Sequence, residues 1–246
     1  MEPSDSRLVA LYDRDNPDGP DHDYYRALAN EVQARTIVDL GCGTGLLTVS
    51  LATGSRRVIG VDPDPEMLNV ARGRPGGDSV AWVLGDSRSI SAVDADLVVM
   101  SGNVAQAILG EEWTTTLSDV FAALRDGGVL AFESRNPAVQ AWMHWNRAGT
   151  YGTRDTPSGR LTEWLDVTEV AADGNVTFEA HNVFGATGEH LIVTSTLAFR
   201  DCDQLMADLQ AAGFLVSGLR GGWQGEELGE ASGLIVVEAQ RRPVSA

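Results

Sequence analysis

The chain has 246 residues, 43% of them hydrophobic and 22% charged, the proportions of a folded globular protein rather than a disordered, collagen-like or fibrous one. Eighteen basic against 35 acidic side chains leave a net charge of −17, a field that repels polyphosphate and anionic lipid, so neither nucleic acid nor a membrane is expected as partner. Two cysteines, Cys42 and Cys202, are too few for a disulfide framework or a four-ligand zinc site, and no metal is expected.

In chain order, short apolar runs bounded by Gly, Asp and Pro predict strands at 36–40, 57–61, 80–84, 95–100 and 128–133. Helices are predicted between them at 44–53, 64–72 and 112–125. Such alternation implies a doubly wound α/β unit, a parallel sheet with helices on both faces. From Leu161 to Phe199 the period changes to two, and Asp173-Gly174 and Thr187-Gly188 sit where hairpin turns belong. Three antiparallel strands near 162–170, 175–184 and 189–199 are therefore predicted as an insertion. A helix at 201–212 stops at Gly213, and strands near 214–219 and 233–240 follow. The whole of 1–246 reads as a single domain, with an N-terminal helical cap over about 1–35 and an inserted antiparallel lid over about 136–200.

The most specific stretch is Ile37-Val38-Asp39-Leu40-Gly41-Cys42-Gly43-Thr44-Gly45-Leu46, a buried strand running into alternate glycines and then a helix. Glycine permits a tight turn there and close approach of a ligand to the backbone. A dinucleotide fingerprint would place its third glycine at position 46, which is Leu46, so the spacing argues against a bound diphosphate. The segment closely resembles the glycine-rich motif of class I S-adenosylmethionine-dependent methyltransferases. Gly60-Val61-Asp62-Pro63-Asp64-Pro65-Glu66-Met67 follows in the family's order.

The resemblance implies S-adenosyl-L-methionine as cofactor and a Rossmann-like seven-stranded, mostly parallel sheet with the last strand inserted antiparallel. It implies donor contacts at Gly41, Cys42, Gly43 and Gly45, at Asp62 (ribose hydroxyls) with Pro63 and Met67, and at Asp86 and Ser87 (adenine). Ser101 and Asn103 are expected near the sulfonium or methionine end. Tyr12 and Tyr25 of the cap are candidates to cover the donor, with ordinary packing as the alternative. A surface turn is the alternative reading of Gly85-Asp86-Ser87. The match covers about 36–134 through motifs and the last two strands through order alone.

Methyl transfer is an in-line displacement in which positioning does most of the work, and a base is needed only when the acceptor must lose a proton. Glu133 and Arg135, with Asn136, follow the fifth strand at the edge where open α/β sheets bind ligands. Of His22, His144, His181 and His190, the second and third are candidates to face an acceptor, with packing or solvation as the alternative. The catalytic group is not identified. The expected activity is methylation of a small-molecule O, N or C nucleophile; a non-catalytic S-adenosylmethionine-binding regulator and an NAD-dependent oxidoreductase are the competing readings. The inserted strands are expected to select the acceptor or, through a free edge, to form a homodimer. No signal peptide or long apolar run is visible, so a cytoplasmic location is expected.

Overall fold

The computed structural model describes residues 3–242. Three helices come first: α1 (Ser6–Val9), α2 (Tyr12–Asp15) and α3 (Pro20–Glu31). Strands and helices then alternate as β1 (Thr36–Leu40), α4 (Leu46–Leu51), β2 (Arg57–Asp62), α5 (Pro65–Gly73), β3 (Val80–Leu84) and β4 (Ala95–Met100). They are followed by α6 (Val104–Ala107), α7 (Gly110–Ala123) and β5 (Leu124–Arg135). After the short α8 (Arg147–Thr150) come β6 (Gly152–Thr156), β7 (Gly159–Val170), β8 (Asn175–Phe184) and β9 (Glu189–Ala198). The described chain ends with α9 (Cys202–Ala211), β10 (Phe214–Arg220) and β11 (Leu234–Arg241).

Seven strands form one sheet in the order β10-β11-β5-β4-β1-β2-β3. Neighbours among β1 to β5 are parallel, whereas β11 is antiparallel to both β5 and β10, the predicted arrangement. From β1 the chain builds outward to β2 and β3 on one side and to β4 and β5 on the other. The order therefore reverses between β1 and β4, and a crevice opens beyond the carboxyl ends of the strands there.

Neighbouring residues of β1 point to opposite faces, and each face has its own core. Ile37 packs with Tyr25 and Leu28 of α3 and Leu47 and Leu51 of α4. Val38 and Leu40 pack with Trp113 and Leu117 of α7, Leu205 and Leu209 of α9, and Phe132. Burial of each such large side chain contributes roughly 1.5–3 kcal/mol, which locks the strand ends that carry the site.

β5 begins four residues earlier than predicted. Leu124 pairs with Ala95, and the register slips before Leu97 pairs with Val129, a bulge turned at Gly127 (φ 75°).

The insertion holds four strands, not three, in the order β6-β7-β8-β9. The additional strand, β6, is Gly-Thr-Arg-Asp-Thr, without the apolar alternation that marks a half-buried strand. It is an edge strand joined to β7 at Gly159 (φ 98°), and a polar edge strand shows no hydrophobic period in the sequence. The predicted turns stand at Gly174 and Gly188, both with positive φ. The N-terminal helices lean on this sheet: Leu8 and Leu11 pack against Leu161, Phe184 and Leu191. Arg7 lies over the Phe184 ring, 3.6 Å from its centre, and pairs with Glu189 at 2.6 Å.

Candidate active site

After β1 the backbone turns sharply, with the N–H groups of Gly41 and Cys42 both donating to the Val61 carbonyl at 2.7 and 3.0 Å. Two of the three glycines are required by packing. A Cβ on Gly41 would stand 2.4 Å from Val104, and one on Gly45 would stand 2.5 Å from Trp82, at a backbone φ of 77°. Gly43 differs: its nearest neighbour would be the Tyr12 ring at 3.6 Å, and the residue lines a cavity of about 630 Å³.

That cavity runs along the strand ends. Gly41, Gly43, Asp62, Pro63, Met67, Asp86 and Ser87 line it, all nominated by the sequence. The Asp62 carboxylate is buried and accepts from Gly43 N–H at 2.8 Å through Oδ2 and from Asp64 N–H at 2.9 Å through Oδ1. Burial pushes its pKa up, against those two donors, which pull it down. Each oxygen retains a lone pair, so two hydroxyls can still be accepted. Asp86 caps the short 3-10 turn Ser87–Ile90 and pairs with Arg88 at 2.5 Å. The Ser87 hydroxyl already donates to Asp119 at 2.7 Å, so its side chain holds α7 in place.

A second cavity, of about 320 Å³, shares Tyr12, Gly41, Gly102, Asn103 and Arg135 with the first and adds Cys42, Ser101 and Glu133. Burial raises the Cys42 thiol pKa well above its ordinary value, so Cys42 is a neutral wall group rather than a nucleophile. Asn103 has left-handed backbone (φ 62°); its N–H donates to Glu133 Oε1 at 2.5 Å. Its Oδ1 is buried without a hydrogen-bond partner among the described residues. Asn103 lines both cavities, and an orphaned acceptor in such a residue is a partner for a ligand's N–H or O–H.

Tyr12 lines both cavities, and its helix is fastened on both sides. The Asp13 carboxylate accepts from the Thr44 hydroxyl at 2.5 Å and pairs with Arg74. Asp15 accepts from Arg154 of β6 at 2.7 Å. Tyr25 is elsewhere: its ring is fully buried against Tyr24 and Trp223, it lines neither cavity, and its hydroxyl donates to Glu133. The expectation that Tyr25 covers the donor gives way to a supporting position beneath Glu133, because it faces the core side of α3.

Glu133 is 1% exposed, and burial pushes its pKa up to about 7 despite the hydrogen bonds from Tyr25 and Asn103. Arg135, two residues on and on the same face of β5, lines both cavities. The two nominated histidines do not join them. His144 is exposed on a 3-10 turn. His181 is paired across the strands with Trp164 and stacked on it at 4.6 Å, with Nδ1 3.1 Å from His190. The inserted sheet holds that imidazole in an aromatic stack away from the cavities.

The structure adds residues that the sequence reading left out. His22 lines the second cavity with Nδ1 3.0 Å from Asp18, a pair whose four-residue spacing was a legible signal. Gln106, wholly buried, accepts from Arg135; no pattern in the sequence marks it.

A crevice at a switch point, a glycine turn tied to a strand-end carboxylate and a long cavity over both define a nucleoside-binding α/β enzyme. Comparison with known proteins narrows this. Residues 37–128 match a family described as a methyltransferase domain. Cypemycin N-terminal methyltransferase from a Streptomyces species is 30% identical over 221 residues, 86% of this chain and 85% of that protein. Ribosomal protein L11 methyltransferase of Dechloromonas aromatica is 33% identical over 103 residues, 42% of this chain; the match spans only 33% of that longer protein. The CcbJ methyltransferase from Streptomyces caelestis has the same fold, with a TM-score of 0.79 at 19% identity over 98% of this chain and 100% of that one. The chain belongs to the class I S-adenosylmethionine-dependent methyltransferases. Among its described residues no helix is long and apolar enough to cross a membrane.

Proposed function

We propose that the protein moves a methyl group from S-adenosylmethionine to a nucleophilic O, N or C of a small molecule. The observation that carries this reading is the pair of joined cavities, one over the glycine turn and Asp62, the other over Glu133. A cofactor and an acceptor can thus meet between Tyr12, Asn103 and Arg135. When bound, S-adenosylmethionine supplies a methyl carbon on a cationic sulfur, already electrophilic without enzymic activation.

In this reading the protein's own work is positioning. Asp62 accepts the ribose hydroxyls, Gly43 lets the backbone approach, Met67 and Pro63 pack on the nucleoside, and Asp86 stands at its base end. The orphaned Asn103 Oδ1 accepts from the amino-acid end. Alignment of this kind supplies on the order of 7–11 kcal/mol of barrier reduction. Tyr12 excludes water on one side, and α1, α2 and the inserted sheet act as a lid that sets acceptor choice. For an acceptor that must shed a proton, Glu133 is the group placed to take it, with a pKa near neutrality suited to general-base work. The relative that matches along most of its length is named as an N-terminal methyltransferase, which favours a terminal amino group among these acceptors.

Isothermal titration with S-adenosylmethionine, S-adenosylhomocysteine and NAD tests the donor half: binding of the sulfur ligands with no NAD signal is expected. Incubating metabolite extracts with methyl-labelled donor, followed by mass spectrometry, tests the acceptor half. No labelled product from any extract, with donor affinity intact, would favour a binding protein over an enzyme.

A further inference from the structure

Arg135 is a half-buried guanidinium in a strongly acidic protein, yet it forms no ion pair among the described residues. Its side-chain hydrogen bond goes to a neutral acceptor, Gln106 Oε1, at 3.0 Å. Burial lowers its pKa, opposed by the nearby charge of Glu133, whose two oxygens are already engaged by Tyr25 and Asn103. Of five guanidinium N–H groups, four are left without a hydrogen-bond partner among the described residues. Gln106 is itself wholly buried on α6. Its Oε1 also takes the Arg135 main-chain N–H at 3.3 Å, and its amide nitrogen donates to the Ala198 carbonyl at the end of β9, 3.4 Å away. A buried amide anchored to the insertion therefore holds an arginine at the wall shared by both cavities.

We propose that Arg135, positioned by Gln106, is the specificity determinant of the reaction and selects an acceptor that carries a carboxylate. The inference rests on the methyltransferase reading above. The fork of a guanidinium matches a carboxylate by two parallel hydrogen bonds, and the carboxylates around it (Asp21, Asp62, Asp64, Glu112 and Glu133 line the same cavities) would repel an anion that had no dedicated cation. The acceptor is favoured over the donor's own carboxylate because the groups that hold Arg135 belong to the insertion side. Gln106 is tied to β9, and the Trp145 ring of the β5–β6 connection lies 5.7 Å from the guanidinium. The glycine turn expected to hold the donor joins β1 to α4. Glu133 precedes Arg135 by two residues on one face, a spacing of roughly 6.6 Å along a strand. The acceptor class that spans them is a compact amino or hydroxy acid, its nucleophile at Glu133 and its carboxylate at Arg135.

The test uses the full chain with methyl-labelled S-adenosylmethionine and matched probes: amino acids, aminobenzoates and hydroxybenzoates, each against its primary amide. The wild type is expected to label at least one acid about tenfold or more faster than its amide at low concentration, the low end for a charge-assisted pair. Arg135→Gln should bring that ratio to about one and Arg135→Lys should retain part of it, because a point charge keeps attraction but loses the fork. Gln106→Glu, which gives the guanidinium an internal carboxylate, should also erase the ratio, an effect that loss of mere packing would not produce. S-adenosylhomocysteine affinity by calorimetry should remain within about twofold in all three variants. Equal labelling of every acid and amide by the wild type, or a ratio that survives Arg135→Gln, overturns the proposal. So does a drop in S-adenosylhomocysteine affinity with the ratio unchanged, which would assign Arg135 to the donor's carboxylate. A wild type that binds no S-adenosylhomocysteine overturns the methyltransferase reading itself.

Discussion

The main-chain N–H of Gly43 donates to Oδ2 of Asp62 at 2.8 Å, so the carboxylate expected to receive the ribose also braces the turn expected to face the donor. Asp62→Ala removes both functions at once. Donor affinity is expected to fall by at least about 1.5 kcal/mol, roughly tenfold, measured by isothermal titration. Unchanged affinity in a folded variant would place the nucleoside elsewhere.

The glycines of the turn should separate into two kinds. Gly45→Ala drives a methyl group into Trp82 at a left-handed backbone position, and a loss of about 1–3 kcal/mol of stability is expected in urea unfolding. Gly43→Ala shares the left-handed backbone strain (φ 52°) but meets only ordinary contact with Tyr12, so its stability should change less than that of Gly45→Ala while donor binding suffers more. The reverse ranking would mean that Gly43 is not the point of closest approach.

Asp39 is buried, with Oδ2 accepting from the Thr48 hydroxyl at 2.6 Å and Oδ1 without a partner among the described residues; burial pushes its pKa up to about 7. The folded state thus holds this proton more tightly than the unfolded chain. Its contribution to stability is full below about pH 4 and is lost as pH rises to about 7. Asp39→Asn is neutral throughout. Its stability relative to wild type should therefore climb between those limits, by a few kcal/mol at most, and then level off. Parallel urea midpoints from pH 4 to 8 would contradict a buried, proton-holding Asp39.

Tyr25 lowers the Glu133 pKa by donating to the carboxylate. If Glu133 acts as the base, kcat/KM rises with pH through about 7 in the wild type. Tyr25→Phe should move that limb upward and cost about 1–3 kcal/mol of stability for the lost buried hydrogen bond. A limb that stays in place in this variant would take the proton-accepting role away from Glu133.

Leu11 couples the N-terminal helices to the insertion through Leu161 and Phe184. Leu11→Ala is expected to cost about 2 kcal/mol or more. It should also weaken donor binding, since Tyr12 is the next residue and its helix would lose its seat. Full donor affinity in a destabilised Leu11→Ala would show that Tyr12 is held by Asp13 and Asp15 alone.

Most of the strands, and the glycine turn and strand-end carboxylate that line the cavity, were legible in one dimension because each signal is local. β1 is a short apolar run ending in alternate glycines, and Asp62 closes the next such run; strand-end chemistry in a doubly wound sheet follows from position along the chain. The turns at Asp173-Gly174 and Thr187-Gly188 were readable for the same reason. β6 was not, since a polar edge strand has no hydrophobic period. The acceptor side depended on contacts between residues far apart in sequence. Tyr25 and Glu133 are 108 positions apart and Gln106 and Ala198 are 92 apart, and nothing local says that they meet. His181 looked available because its exposure depends on which face of the insertion is covered, and stacking on Trp164 decided that. Composition and periodicity determine which elements form and where a ligand must cross them. Only the packing of distant elements decides which polar groups are left unpartnered at the crossing, because that is a property of neighbours in space.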